Sequence, residues 1–169
     1  QISLTIGFLA LLISFPIGLL YGGISGYFGG AVDNIMMRIA EAIMSIPGFY
    51  LLISLAAILP ANMTSAQRFT LITVILAFIG WAGLSRVVRG MVLSIKNQEF
   101  VEAAEAIGAS PMRIITKHIL PQTASYVIVA ITLSVPGYIL AESGLSFLGL
   151  GIQQPDASWG NMLKEAQEY

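Results

Sequence analysis

QISLTIGFLALLISFPIGLLYGGISGYFGGAV, residues 1–32, contains no charged side chain. A helix needs about 20 predominantly apolar residues to cross the hydrocarbon core of a bilayer, so this run is long enough to span. Moving outward from it, residues 42–67, 69–85 and 119–141 are equally free of charge. Of the 169 residues, 56% are hydrophobic and 10% charged, where a soluble domain carries about a quarter charged residues. Mean hydropathy is +0.83. Backbone groups in lipid must find partners within their own segment, which selects helices, and the short alternating segments of a β-barrel are absent from the pattern. The expected fold is therefore all-α: a polytopic transmembrane helix bundle with about four spans.

Other function classes recede on composition. A net charge of −1 leaves no nucleic-acid footprint, and without cysteine there is no disulfide or thiolate metal site. The first segment has neither a basic leading region nor a cleavage pattern, so it does not read as a signal peptide. Opening without Met inside an apolar run, the chain reads as a piece of a longer membrane protein.

The first predicted helix runs from about Ile2 to Tyr27. Gly18, Gly22, Gly26 and Gly30 recur every fourth residue, which predicts a groove for close approach of another helix. The cluster GGISGYFGG lacks the Gly-Lys-Ser/Thr of a phosphate loop, so packing is the preferred reading. A second helix is expected from Asp33, a residue suited to a helix start, to about Leu59, ahead of the turn signal Pro60-Ala61-Asn62. The third covers about Phe69–Val92 and the fourth about Ile115–Ala141. Beyond, LSFLGLGIQQPDASWG reads as irregular, with Ser158 capping a last short helix. Pro16, Pro47 and Pro136 lie inside three of these helices, as static kinks or as bends of a bundle that lines a cavity and changes shape. Within the second helix Arg38 and Glu41 share a face, and an ion pair between them is favoured over a substrate contact. Glu142, at the outer end of the fourth, carries no assigned chemistry.

Arg38, Arg86, Arg89, Lys96, Arg113 and Lys117 flank two of the connections, and only Arg68 and Lys164 flank the opposite side. The positive-inside bias puts the connection at 97–121 in the cytoplasm and both chain ends outside.

That connection, FVEAAEAIGASPMRIITKHILPQ over 100–122, is unusually charged for its surroundings. Asn97 is a candidate N-cap, with Glu99 in the first turn. Phe100, Ala104 and Ile107 share a helical face, Gly108 can end the helix in the left-handed conformation, and Ser110-Pro111 can start the next. The first helix is too short to span. Glu99, Glu102 and Glu105 would be repelled by anionic headgroups, so docking to a cytoplasmic protein explains the pattern better than docking to lipid.

Glu102-Ala103-Ala104, three residues, Gly108 and then Leu120-Pro121 resemble the EAA loop of ABC-importer permeases, with His118 where that pattern usually has isoleucine. Gly26-Tyr27-Phe28-Gly29-Gly30 with Asp33 and Met37-Arg38, Ser45-Ile46-Pro47, Arg86-Val87-Val88-Arg89-Gly90, and Glu142-Ser143 with LSFLGLG and SWG resemble the dipeptide, oligopeptide and nickel branch. The resemblance covers nearly the whole chain and implies a type I ABC-importer permease-like fold. It implies one transmembrane permease domain over 1–169, with a coupling loop at about 97–121 and an outer loop at about 143–160. An N-terminal and a final helix of the family would lie beyond this chain.

The resemblance further implies a prokaryotic inner-membrane protein that catalyses nothing and binds no cofactor, ATP being bound by two cytoplasmic partner subunits. A second, non-identical permease subunit, an extracytoplasmic solute-binding protein and membrane lipid complete the set of partners. Phe100, Glu102, Ala103, Ala104, Ile107 and Gly108 are the expected ATPase-coupling residues. Peptides are the first expected solute, nickel or another small solute the second. Two other readings stand beside it: a secondary transporter, for which Glu41 and Glu142 are the available intramembrane acids, and a non-transporting assembly subunit.

Overall fold

The computed structural model describes residues 2–58, 60, 63–152 and 156–167. Among these every regular element is helical. The elements are α1 (Ile2–Phe28), α2 (Gly30–Met44), α3 (Gly48–Ala57), α4 (Ser65–Ile95), α5 (Glu99–Ala106), α6 (Pro111–Arg113), a π turn (Ile114–Ile119), a 3₁₀ turn (Leu120–Thr123), α7 (Ala124–Phe147) and α8 (Trp159–Gln167). Three helical stretches, Ile2–Phe28, Ser65–Ile95 and Pro111–Phe147, are long and apolar enough to cross a membrane, and the α2–α3 pair makes a fourth if counted as one span.

The second helix is not continuous as expected but breaks between Met44 and Gly48. Proline removes an N–H and pushes the preceding residue out of helical geometry. Here Ser45 completes the stop: its N–H bonds Glu41 O at 2.8 Å and its hydroxyl donates to Ala42 O at 2.8 Å, taking up carbonyls the helix leaves free. Pro16 and Pro136, by contrast, sit inside unbroken helices. The helix also starts at Gly30 rather than Asp33. Ala61 and Asn62 of the anticipated turn, and Gln153, Gln154 and Pro155 of the tail, lie outside the described residues.

Two compact units divide the chain, both drawing on α1, α4 and α7. The first comprises residues 1–13, 46–79 and 132–169. Its core joins Ile6, Ala10, Leu52, Ile72, Leu76, Leu145 and Ile152. Here α7 continues to Phe147, so the segment read as irregular starts later than expected. Its end is a left-handed glycine: Gly149 has φ +77°, its N–H bonds Ser146 O, and Leu150 N–H bonds Leu145 O. Ser158 caps α8 as anticipated, its hydroxyl accepting from Asn161 N–H at 3.2 Å.

The second unit comprises residues 14–45 and 80–131. Met37, Ala40, Trp81 and Ala82 form a core joined by Tyr21, whose ring lies 4.6 Å from that of Trp81 and whose hydroxyl donates to Met36 O at 2.8 Å. Glycines bring α1 onto α4. A Cβ on Gly18 would sit 2.9 Å from Trp81 O, and one on Gly26 would sit 2.8 Å from Val92 Cβ and 2.9 Å from Arg89 O. Gly22 is closer still, against Ser85 O and Val88. Only a missing side chain permits such approach. Gly30 is not part of this seam: with φ +54° it makes the corner into α2, and a Cβ there would meet nothing within 4 Å.

Candidate functional site

α5 has eight residues, too few to cross a bilayer. Gln98, not Asn97, occupies its N-cap, and no side chain caps it; Gln98 O instead accepts from Val101 N–H at 2.9 Å. The C-terminal stop is well made. Gly108 has φ +80°, its N–H bonds Glu105 O at 2.9 Å, and Ala109 N–H bonds Ala104 O at 3.1 Å. These two bonds are those of a Schellman motif. Ser110 then precedes Pro111 at the next helix start, again without a side-chain cap bond.

The apolar sector of α5 divides in two. Val101 and Ala104 turn inward, Ala104 being 4% exposed, onto a unit that also buries Ile114, Ile115 and Ile119. Phe100, Glu102, Ala103 and Ile107 are exposed, Ile107 to 86%. Ala104 therefore does not share an outward face with Phe100 and Ile107, because the chain's own π turn packs against α5.

That π turn has a local cause. Pro121 has no N–H to offer Lys117 O, and its ring would strike that carbonyl in a regular helix. The chain widens instead, with Leu120 N–H bonding Ile115 O five residues back. Widening directs Ile115 and Leu120 at α1, where a Cβ on Gly23 would lie 3.0 Å from Ile115 Cγ2 and 3.2 Å from Leu120 Cδ2.

Two polar clusters went unread in the sequence. Tyr27 Oη, at the end of α1, donates to Glu105 Oε1 at 2.7 Å, and Lys96 Nζ donates to Tyr27 O at 3.3 Å. Asp33, buried, takes Arg89 in a two-pronged ion pair: Nε to Oδ1 at 2.6 Å and a second bond from Arg89 Nη2 to Oδ2. Ser25 Oγ also donates to Asp33 Oδ1, at 2.5 Å. Asp33 thus joins α1, α2 and α4 rather than capping α2. The ion pair expected between Arg38 and Glu41 does not form; both side chains are exposed. An acid and an arginine placed near the same ends of two adjacent predicted spans were the available signal.

In the first unit Glu142 is fully buried. Ser146 Oγ donates to its Oε1 at 2.6 Å and accepts from Ile152 N–H at 3.0 Å, while Glu142 Oε2 has no partner.

Residues 14–169 match the family described as binding-protein-dependent transport system inner membrane component. The chain belongs to that family and is a multi-pass protein of the prokaryotic inner membrane. Over 165 residues, 98% of this chain, it is 48% identical to the dipeptide transport system permease protein DppC of Bacillus subtilis, covering 50% of that protein. Over the same share it is 46% identical to the oligopeptide transport system permease protein OppC of Haemophilus influenzae, covering 51% of it. It is 42% identical to OppC of Mycobacterium tuberculosis, covering 55%. The chain spans about half the length of the curated relatives it matches.

Proposed function

We propose that residues 1–169 act as one permease domain of an ATP-driven importer that carries peptides, with α5 as the helix through which ATP-binding subunits move the membrane core. The carrying observation is the divided face of α5. Val101, Ala104 and the Tyr27–Glu105 bond fasten it to its own chain, while Phe100, Ala103 and Ile107 remain outward for a partner's cleft. A lever transmits displacement only if it is stiff, and the Gly108 stop with its two backbone bonds supplies stiffness where side-chain caps are lacking. When two cytoplasmic subunits close on ATP, α5 moves with them, and α4, the π turn and α7 carry the motion into the spans. ATP is bound and hydrolysed by those subunits. A second, non-identical permease subunit and an extracytoplasmic solute-binding protein complete this reading, whose choice of peptides rests on the names of the dipeptide and oligopeptide relatives.

A single cysteine at Ile107 in an otherwise cysteine-free full-length permease tests the docking. Crosslinking to an ATP-binding subunit, changing with nucleotide and absent from a cysteine at Ala104, is the expected result. Equal crosslinking at both positions, or none at Ile107, overturns it. The buried Glu142 favours a second reading, an ion-coupled secondary transporter. Dipeptide uptake that collapses with a protonophore while ATP is maintained would select that reading instead.

A further inference from the structure

In the first unit, α8 has nine residues, too few to span, yet it leaves large apolar side chains uncovered. Trp159 is 45% exposed, and Met162 and Leu163 are 58% exposed each. At 3.6 residues per turn, Trp159, Met162, Leu163 and Ala166 fall on one face, with Asn161, Lys164 and Glu165 on the opposite one. Gly160 lies about a quarter-turn from both. There α8 meets α7: a Cβ on Gly160 would press on Ser143 O and sit 2.6 Å from Ser146 Cβ and 2.8 Å from Phe147 N. The unit therefore holds α8 by its side, with the apolar face turned one way and the charged face the other.

Both attachments of α8 lie at the ends of spans. Trp159 N–H bonds Ser3 Oγ at 3.3 Å, and Ser3 is the second residue of α1. α1 has 27 residues, about 40 Å of helix against a hydrocarbon core of about 30 Å. With the excess shared equally, Ser3 stands about 4 Å outside the core, level with the headgroups. Ser143 to Phe147 form the last turn of α7. This is the surface opposite the cytoplasmic connection at 97–121. The apolar face of α8 also continues a surface that is already in the membrane. Leu140, Gly144 and Phe147 of α7 share with Leu163 and Ala166 an open apolar groove of about 560 Å³, and Leu140, itself exposed, belongs to a span. Lys164 and Glu165, both exposed, keep α8 from turning into the core, where each charge is costly.

We infer that α8 lies in the plane of the membrane at the outer leaflet, with Trp159, Met162 and Leu163 inserted among lipid acyl chains and Lys164 and Glu165 in water. Helices placed in this way bury their apolar face about 5–10 Å into the headgroup–acyl boundary. Tryptophan suits that layer, having an apolar ring body and a polar N–H. Lys164 and Glu165 leave α8 without net charge, so apolar area drives the insertion and anionic lipid is not selected. Through Ser3 and Gly160, α8 ties the outer ends of α1 and α7 to the lipid surface. The inference uses membrane placement alone and does not depend on the transport reading.

Spin labels on Met162→Cys, Leu163→Cys, Lys164→Cys and Glu165→Cys, each in the full-length permease within its complex and in phosphatidylcholine vesicles, test the placement. Collision with dissolved oxygen should exceed collision with an aqueous nickel chelate at 162 and 163. The order should reverse at 164 and 165, and replacing part of the lipid with phosphatidylglycerol should change neither. Weak collision with both reagents at 162 and 163 means cover by protein, whether a further span of the chain or a second permease subunit, and overturns the inference. Nickel-dominated collision at all four positions puts α8 in water, and oxygen-dominated collision at all four puts it in the core; either result overturns it. Brominated lipids give a reading that needs no label. Bromines near the carboxyl end of the acyl chain should quench a fluorescence component that Trp159→Phe removes, and bromines near the methyl end should quench it several-fold less. Equal quenching by the two lipids, or none, overturns the placement.

Discussion

Tyr27 Oη and Glu105 Oε1, seventy-eight positions apart in sequence, are 2.7 Å apart in space and tie the last turn of α1 to α5. The bond lies at an exposed site, so its removal should cost about 1 kcal/mol. Tyr27→Phe should accelerate amide exchange across residues 99–106 about fivefold, as that free energy implies. Glu105→Gln, which keeps an acceptor, should do less. Hydrogen exchange by mass spectrometry reads this directly, and unchanged protection in Tyr27→Phe would leave Val101 and Ala104 as the only fastening of α5.

Asp33→Ala removes a buried acceptor and leaves Arg89 without its counter-charge. A loss of about 2–3 kcal/mol is expected, at the low end for a broken buried pair because Arg89 is partly exposed. The thermal midpoint of the full-length protein in detergent should fall. The double change Asp33→Ala/Arg89→Leu should recover part of the loss, since it strands no charge. Additive losses in the double variant would mean that the pair is not coupled.

Gly22 and Gly83 make a matched comparison. A Cβ at Gly22 would press on Ser85 O and lie 2.9 Å from Val88 Cβ, whereas a Cβ at Gly83 would meet nothing within 4 Å. Gly22→Ala should therefore destabilise by about 1–3 kcal/mol through overpacking. Gly83→Ala should be neutral or stabilise by up to about 1 kcal/mol, from helix propensity alone. Thermal midpoints of the two variants decide this, and equal shifts would show that the α1–α4 seam is misjudged.

If α5 acts as the proposed lever, Gly108→Val should retain membrane insertion yet lower the uptake proposed above, because φ +80° at that position costs a branched residue about 1–2 kcal/mol or more. Nothing lies within 4 Å of the added Cβ, so the effect isolates the backbone. Gly108→Asn, which tolerates the left-handed region, should retain most uptake. Uptake unaffected by valine would count against a rigid stop.

Where three of the spans lie was legible without coordinates, because a span is announced by its own composition: charge-free runs about the length of a bilayer can fold in lipid only as helices; the break of the second between Met44 and Gly48 was not. The Gly108 stop was legible for a similar reason, since a left-handed turn needs a residue without a side chain wherever it occurs. The Ser158 cap follows the same local logic. The α5 face was half legible. Helical spacing grouped Phe100, Ala104 and Ile107, but the covering of Ala104 depends on a π turn whose origin lies at Pro121.

The sequence by itself determined that this chain is helical, lies in the membrane and turns at its glycines, because those properties are settled within a few residues by solvation and backbone sterics. Only the tertiary structure decided that Asp33 answers to Arg89, that Glu105 answers to Tyr27, and that Gly30 stands apart from Gly18, Gly22 and Gly26. A charge or a gap in packing is satisfied by whatever arrives opposite it, and what arrives opposite is set by the path of the whole chain.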